Sequence, residues 1–312
     1  MKIGQLNKLD IRELWKGEAQ DFTPWLAQEE NLKQLGDVIS VDLELVQQEK
    51  NVGPFRADIL CKSTIDDSYV LIENQLEKTD HTHLGQILTY AAGLDAVTVI
   101  WIAKEFTEEH RATIDWLNRI TDEKFNFFGI EIEAYKIGDS LPAPLFQIVS
   151  KPNDWSRTIK TAATSQNLTD AKSLNLDYWT AMKKYFEEKG TFLRHQKPQP
   201  QHWTNFALGK SHFHMSAVSS VRENFLRVEL LINAEKSKEV FRLLQEKYQE
   251  ASYEHISPDL VWDELPDKKV SIVYLRRDAK VNSIQDWPNQ HQWFMETLEK
   301  MDRFFRDKIR LV

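Results

Sequence analysis

The stretch from Val52 to Gly93, VGPFRADILCKSTIDDSYVLIENQLEKTDHTHLGQILTYAAG, decides the fold. Phe55 to Lys62 and Tyr69 to Gln75 are apolar-rich runs, and the polar segment Ser63 to Ser68 turns the chain between them, so the pair predicts a β-hairpin. Each strand carries one carboxylate inside its apolar run: Asp58 in the first, Glu73 in the second. A carboxylate in a buried strand is costly unless it is paired or binds a metal. Glu73 and Gln75 are two apart and share a strand face. Asp58, Glu73 and Gln75 are therefore candidates to meet at one sheet edge and hold a divalent cation. The alternative is that both carboxylates sit on a solvent-facing side of their strands.

Toward the N-terminus, Phe22 to Leu35 predicts a helix, with Thr23 as its cap, Pro24 at its first position and Gly36 as its stop. Val38 to Val46 alternates as a strand should. Leu6, Leu9, Leu14 and Trp15 read as an arm or a short strand. Beyond the hairpin, Thr79 or Asp80 caps the helix HTHLGQILTYAAGL, with Leu84, Ile87, Leu88 and Ala91 as its expected buried stripe. Val97 to Ala103 (VTVIWIA) is a continuous apolar run, the mark of a central strand covered on both faces. A helix from Thr107 to about Ile120 and a strand from Gly129 to Ile137 complete a right-handed parallel crossover. The order predicts an α/β fold, a mixed sheet with helices on its faces.

Residues 138–170, with Pro142, Pro144, Pro152 and the polar run TAATSQNLTD, are the best candidate for a linker. The expected organisation is a domain over 1–150, a linker over 151–170 and a second domain over 171–312. That second domain predicts α+β with a mostly antiparallel sheet. Its expected helices are Leu176 to Lys189, Glu235 to Ala251 and Gln290 to Lys308. Its expected strands are Trp203 to Leu208, Phe213 to Val218, Phe225 to Ile232, Leu260 to Glu264 and Lys269 to Arg276.

Composition narrows the classes. In 312 residues with 41% hydrophobic content and 10 Trp there is ample material for packed cores, which excludes a disordered chain. The single cysteine, Cys61, excludes a disulfide framework and a four-cysteine zinc site. No run approaches the roughly 20 apolar residues of a membrane helix, and the opening MKIGQLNKLDIRELWKGE has no apolar export core. A cytoplasmic protein without a membrane partner is expected. The net charge of −8 is uneven: residues 1–150 balance at −12 and residues 151–312 at +4. That asymmetry fits an acidic half that needs cations and a half able to meet an anionic partner, and equally fits an ordinary acidic surface.

Asp58, the turn, Glu73-x-Gln75 and a following helix bearing Gln86 resemble the PD-(D/E)XK (restriction-endonuclease-like) nuclease superfamily. The usual lysine is replaced by glutamine, an E-x-Q variant, and Ala57 stands where a proline precedes the first aspartate. VGPFRADIL and IENQLEKTDHTHLGQILTYAAGLDA resemble a branch whose proteins end in a domain called DUF4268, and QKPQPQHWTNFALGKSHFHMSA and RENFLRVELLI resemble that domain. The resemblance implies Mg²⁺ or Mn²⁺ held by Asp58, Glu73 and the carbonyl of Asn74. It implies Gln75 in the place of the water-orienting lysine, an acidic residue from the first helix (Glu30), and Gln86 near the scissile strand or its water. Lys62 and Lys78 are candidates for the missing cation. His81 and His83 flank a helix start, where capping and phosphate contact are both open. His212 and His214, two apart in an expected strand, share a face. With His202, Trp203 and Lys210 they form a polar patch suited to nucleic acid or to a protein interface.

The reading that follows is a metal-dependent endonuclease acting on DNA, in defence or repair, as a homodimer if both strands are cut. The alternative is a nuclease-like binding or sensor module without turnover.

Overall fold

The computed structural model describes residues 3–52, 55–122, 124–152 and 170–312. The linker expected over 151–170 lies almost wholly outside the described residues. The chain divides into two compact units, residues 1–63 with 68–161 and residues 162–312 with 64–67. The fold is α/β: a mixed sheet in the first unit, an antiparallel sheet in the second, and helices flanking both. Among the described residues no helix is long and apolar enough to cross a membrane.

The first unit's sheet runs β2 (Leu43–Val52), β3 (Phe55–Ser63), β4 (Tyr69–Lys78), β5 (Thr98–Glu105), β6 (Asn126–Ile137), with β1 (Leu6–Leu9) and β7 (Ala143–Ser150) both paired to β6. β2, β3 and β4 are antiparallel, and β4, β5 and β6 are parallel. The parallel strands are joined by α4 (His81–Leu94) and α5 (Glu108–Ile120), as the crossover pattern requires. The α4 helix starts where expected because Asp80 caps it, accepting the His83 N–H. Its buried stripe is Ile87 and Tyr90; Leu88, expected inside, is exposed.

The apolar run of β5 is buried on both faces. Ile100 and Ile102 pack with Trp15, Phe22, Leu32 and Leu35 on one side. Val99, Trp101 and Ala103 pack with Ile87, Tyr90 and Ile114 on the other.

Three expectations need correcting. The N-terminal helical region is not one helix stopped by Gly36. It is α1 (Ile11–Leu14), a π turn (Glu18–Phe22), α2 (Thr23–Leu26) and α3 (Glu29–Ile39), which runs through Gly36 and ends at Ser40 with φ +59°. Gly36 is needed for close approach, since a Cβ there would lie 2.4 Å from the Val41 carbonyl oxygen. The strand expected from Val38 begins at Leu43. Residues 143–150, within the proline-marked stretch 138–170 read as linker-like, form β7, where Pro144 sits near the start of the strand.

The second unit's sheet has the order β11 (Val261–Asp263), β12 (Ser271–Asp278), β10 (Phe225–Ile232), β9 (Phe213–Ser220), β8 (Trp203–Lys210), all antiparallel. One face carries Phe206, Met215, Val228, Leu230 and Val273 into a core with α6 (Asp170–Lys189), α7 (Ser237–His255) and α8 (Trp287–Ile309).

Candidate functional site

The β3–β4 ladder stops at the pair Ile59 and Ile72. The next position across is Asp58 opposite Glu73, and there the side chains take over from the ladder. Glu73 Oε1 accepts the Asp58 N–H at 3.2 Å, and Asp58 Oδ2 accepts the Asn74 N–H at 2.9 Å. Each carboxylate thus caps the other strand where the two part. Glu73 is 3% exposed and Asp58 is half-buried.

Neither acid has a Lys or Arg partner among the described ion pairs. Burial, and then the Asp58 charge, hold the Glu73 carboxyl far above the usual carboxylate range. Burial also raises Asp58, with Glu49 and Glu18 adding to the effect, while the Asn74 N–H and His83 oppose it.

Glu49 completes the row. Its β2 neighbours Gln48 and Lys50 pair with Ile59 and Ala57, which sets Glu49 beside Asp58. Its φ is +51°, a left-handed conformation that costs a non-glycine residue energy and is found disproportionately at functional sites. Glu49 Oε2 lies 2.6 Å from Arg56 Nε, while Oε1 is buried and carries no hydrogen bond. Glu49, Asp58 and Glu73 therefore lie in register on three adjacent strands. Glu18, in the π turn, accepts the Leu76 N–H at 2.9 Å and is the helical acid whose charge reaches Asp58. Glu30, expected in that role, is exposed in the first turn of α3.

The other expected residues fall into two groups. Gln75 is completely buried and bound on both sides of its amide. Its Oε1 accepts from Trp101 Nε1 at 2.9 Å, and its Nε2 donates to the Lys78 carbonyl at 2.8 Å and to Asp80 Oδ2 at 3.2 Å. Both amide hydrogens are used, so Gln75 ties the end of β4 to the start of α4. Asn74 turns the other way, accepting from the Thr23 hydroxyl at 3.2 Å.

His83 braces the helix cap, its Nδ1 2.7 Å from Asp80 Oδ2. His81 Nδ1 is 3.1 Å from Nε2 of His110, a buried side chain that also meets the Thr79 hydroxyl. Burial and the His81 charge lower the His110 pKa. Gln86 is half-buried on α4. Lys62 lies four residues along β3 from Asp58, over the Tyr69 ring, and Lys78 is exposed and paired with Glu105 at 2.8 Å. Neither lysine stands in for the missing cation.

In the second unit, His212 is not on a strand. It forms the β8–β9 turn with φ +68° and shares no strand face with His214. Lys210 donates to the carbonyl oxygens of Ile309 (3.1 Å) and Val312 (2.6 Å). Trp203 is 38% exposed, with the His202 ring edge-on at 4.6 Å.

Residues 174–309 match the domain of unknown function DUF4268. No curated protein matches the chain. A solved structure, "crystal structure of a repair endonuclease from Pyrococcus abyssi", is similar at 20% identity over 28% of this chain, with a TM-score of 0.24. The chain spans 43% of that protein's length.

Two carboxylates with opposed, partly committed oxygens and no neutralising cation make an oxygen-rich site suited to a hard divalent ion. Among the described residues no three His, Cys, Asp or Glu side chains are gathered closely enough to ligate one ion by themselves. Any ion held here draws its remaining ligands from backbone carbonyls, water or substrate, as is usual for Mg²⁺. Glu49 and Glu18 were not singled out from the sequence. Extending the β2–β3 register from Gly53–Pro54 sets residue 49 against residue 58, a signal available for Glu49; Glu18 carries no comparable mark.

Proposed function

We propose that the first unit is a metal-dependent phosphodiesterase of the PD-(D/E)XK type, with DNA as the favoured substrate. The observation that carries this reading is the split β3–β4 ladder, where Asp58 and Glu73 are buried side by side without a cation. Such a site is unfavourable empty and favourable with a divalent ion in it. Asp58 and Glu73 would hold Mg²⁺ or Mn²⁺, with the Asn74 carbonyl as a third donor. A bound ion supplies charge relief on the phosphate and a more acidic water.

Hydrolysis would add a water to phosphorus and break the bond to the leaving group, which departs as the alcohol once protonated. The water's proton needs an acceptor, and Glu49 Oε1, buried without a hydrogen bond, is the available one. Gln75, whose amide hydrogens are spent, positions β4 against α4 instead of orienting water. Cutting both strands of a duplex calls for two such sites and hence for a homodimer.

The committed amide of Gln75 also favours a second reading, a nuclease-like module that binds without turnover. Incubating the full chain with supercoiled, linear and single-stranded DNA and with RNA separates the two. Cleavage with Mg²⁺ or Mn²⁺, absent with EDTA and in Asp58→Ala, supports the enzyme. Metal binding without cleavage of any substrate supports the module.

A further inference from the structure

The face of the second unit's sheet opposite the helices is polar, and the register orders it into two rows. Trp203, Val218, Arg227 and Arg276 are successive partners across β8, β9, β10 and β12. One step along, Asn205, Ser216, Glu229 and Tyr274 form the next row. The β8, β9 and β10 members of these rows, with His214, line a cavity of ≈ 200 Å³. That is smaller than the roughly 300–1,000 Å³ sites of drug-sized ligands and suits a single ring system.

The floor of the cavity is built. Glu229 is 8% exposed. Arg227 Nε lies 2.7 Å from Glu229 Oε2, but the N–H is not aimed at that oxygen, and both buried atoms keep unused hydrogen-bonding capacity. Ser216 Oγ donates to Asn205 Oδ1 at 2.8 Å, which orients the Asn205 amide. Burial lowers the His214 pKa, against the charges of Asp67 and Asp66.

Charge and shape then select the occupant. A bare phosphate or carboxylate would meet the Glu229 charge, and a metal ion would meet the Arg227 guanidinium. The floor instead asks for a neutral edge that donates to Glu229 and accepts from Arg227. The wall, an exposed tryptophan, asks for a flat ring. A heterocycle with donors and acceptors along one edge meets both demands. Exposed Arg276, stacked 4.1 Å over the Phe225 ring in the row beside the cavity, is placed to meet a phosphate attached to that ring. We propose that this cavity is a nucleobase-binding site, with the base stacked on Trp203 and its hydrogen-bonding edge read by Arg227, Glu229 and Asn205. The proposal stands apart from the chemistry of the β3–β4 cleft.

The test uses the full chain in EDTA, so that no metal site contributes. Labelled 12-nucleotide homopolymers of DNA and RNA are titrated by fluorescence anisotropy, with mononucleotides as competitors. Single strands, mononucleotides or both bind wild type, and which of them competes identifies the source of the base. Trp203→Ala weakens binding by about 5- to 100-fold, as loss of one stacked base predicts, while Trp203→Phe stays within a few-fold. Glu229→Gln changes the ratio between the strongest and weakest base by about tenfold. Glu30→Gln, on an exposed helix face outside both sites, binds like wild type. No binding by any strand or mononucleotide, or wild-type affinity and base preference in both Trp203→Ala and Glu229→Gln, overturns the proposal.

Discussion

Two glutamates, Glu73 and Glu229, are buried on strands of different sheets, and they are buried on opposite terms. Glu73 faces another acid, Asp58, with a third, Glu49, in the same row. Glu229 has a guanidinium 2.7 Å away. Both are raised by burial, but only Glu229 has a neighbouring cation that pulls it back. A carboxylate left without a counter-charge defines a vacancy for a positive ion; one already neutralised defines a vacancy for a neutral, hydrogen-bonding group. The partner of each buried charge is thus what distinguishes the metal site proposed for one from the base site proposed for the other.

The comparison can be broken at several points. The largest expected effect is on turnover. Asp58→Ala or Glu73→Gln should lower metal-dependent cleavage by about 10³-fold or more, and Glu49→Gln by roughly 10²-fold as loss of a proton acceptor predicts. Cleavage by Glu73→Gln at the wild-type rate would separate the acids from the chemistry. Next comes the paired glutamate. Arg227→Met leaves Glu229 buried alone and should cost about 3 kcal/mol at pH 8 in chemical denaturation. An unchanged midpoint would mean that the ion pair is not what makes Glu229 tolerable.

The unpaired glutamate should respond with the opposite sign. In EDTA at pH 8, Glu73→Gln should stabilise the protein by about 2 kcal/mol, because the wild-type fold must hold on the buried Glu73 carboxyl a proton that the unfolded chain has released. The pH dependence follows from the raised folded-state pKa of about 9 for Glu73. The folded state holds the proton more tightly than the unfolded chain. The stabilising contribution of that proton is complete below the unfolded value of about 4.3 and is lost as pH rises through the folded one. Wild type and Glu73→Gln should therefore converge in stability near pH 4 and diverge toward pH 9, and parallel curves would contradict this. A smaller effect is expected at Gln75. Gln75→Leu orphans the Trp101 N–H and the Lys78 carbonyl and should cost about 1–3 kcal/mol. If the residue only positions β4, the metal affinity of the folded protein stays within a few-fold of wild type. Glu30→Gln, on an exposed helix face, should change stability by less than about 0.5 kcal/mol and leave cleavage alone.

Much of this was legible in the sequence because it rests on local pattern. The β3–β4 hairpin, the α4 cap at Asp80 and the double-faced β5 run each follow from periodicity and turn chemistry within one short stretch of chain. The opposition of Asp58 and Glu73 follows from the same hairpin. What local pattern misses is set by distant contacts. Gly36 looks like a helix stop, yet its missing Cβ serves the Val41 carbonyl inside a continuing helix. Residues 143–150 look like a proline-marked linker, but the long β6 strand offers them an edge to pair with.

Glu30 and Glu18 are both acids in the N-terminal helical region; only the packing that brings the π turn to the Leu76 N–H tells them apart. His212 and His214 have strand spacing, but the positive φ of His212 ends the alternation one residue early. Lys210, which reads as a phosphate-seeking lysine, spends its donors on the carbonyls of the C-terminal residues. Of the cavity's lining, His202, Trp203 and His214 stand in the polar patch read from the sequence, but Arg227 and Glu229 do not, because they join it only once β8, β9 and β10 are in register.

The central claim, that the parted β3 and β4 strands hold one divalent ion, is tested most directly by calorimetric titration of Mn²⁺ into the full chain at pH 8 in buffers of different ionisation enthalpy. The account predicts one ion bound per chain, with proton release to the buffer as the metal displaces the proton of the raised Glu73 carboxyl, and loss of both in Glu73→Gln. Binding without proton release, equal binding by Glu73→Gln, or no binding would contradict it.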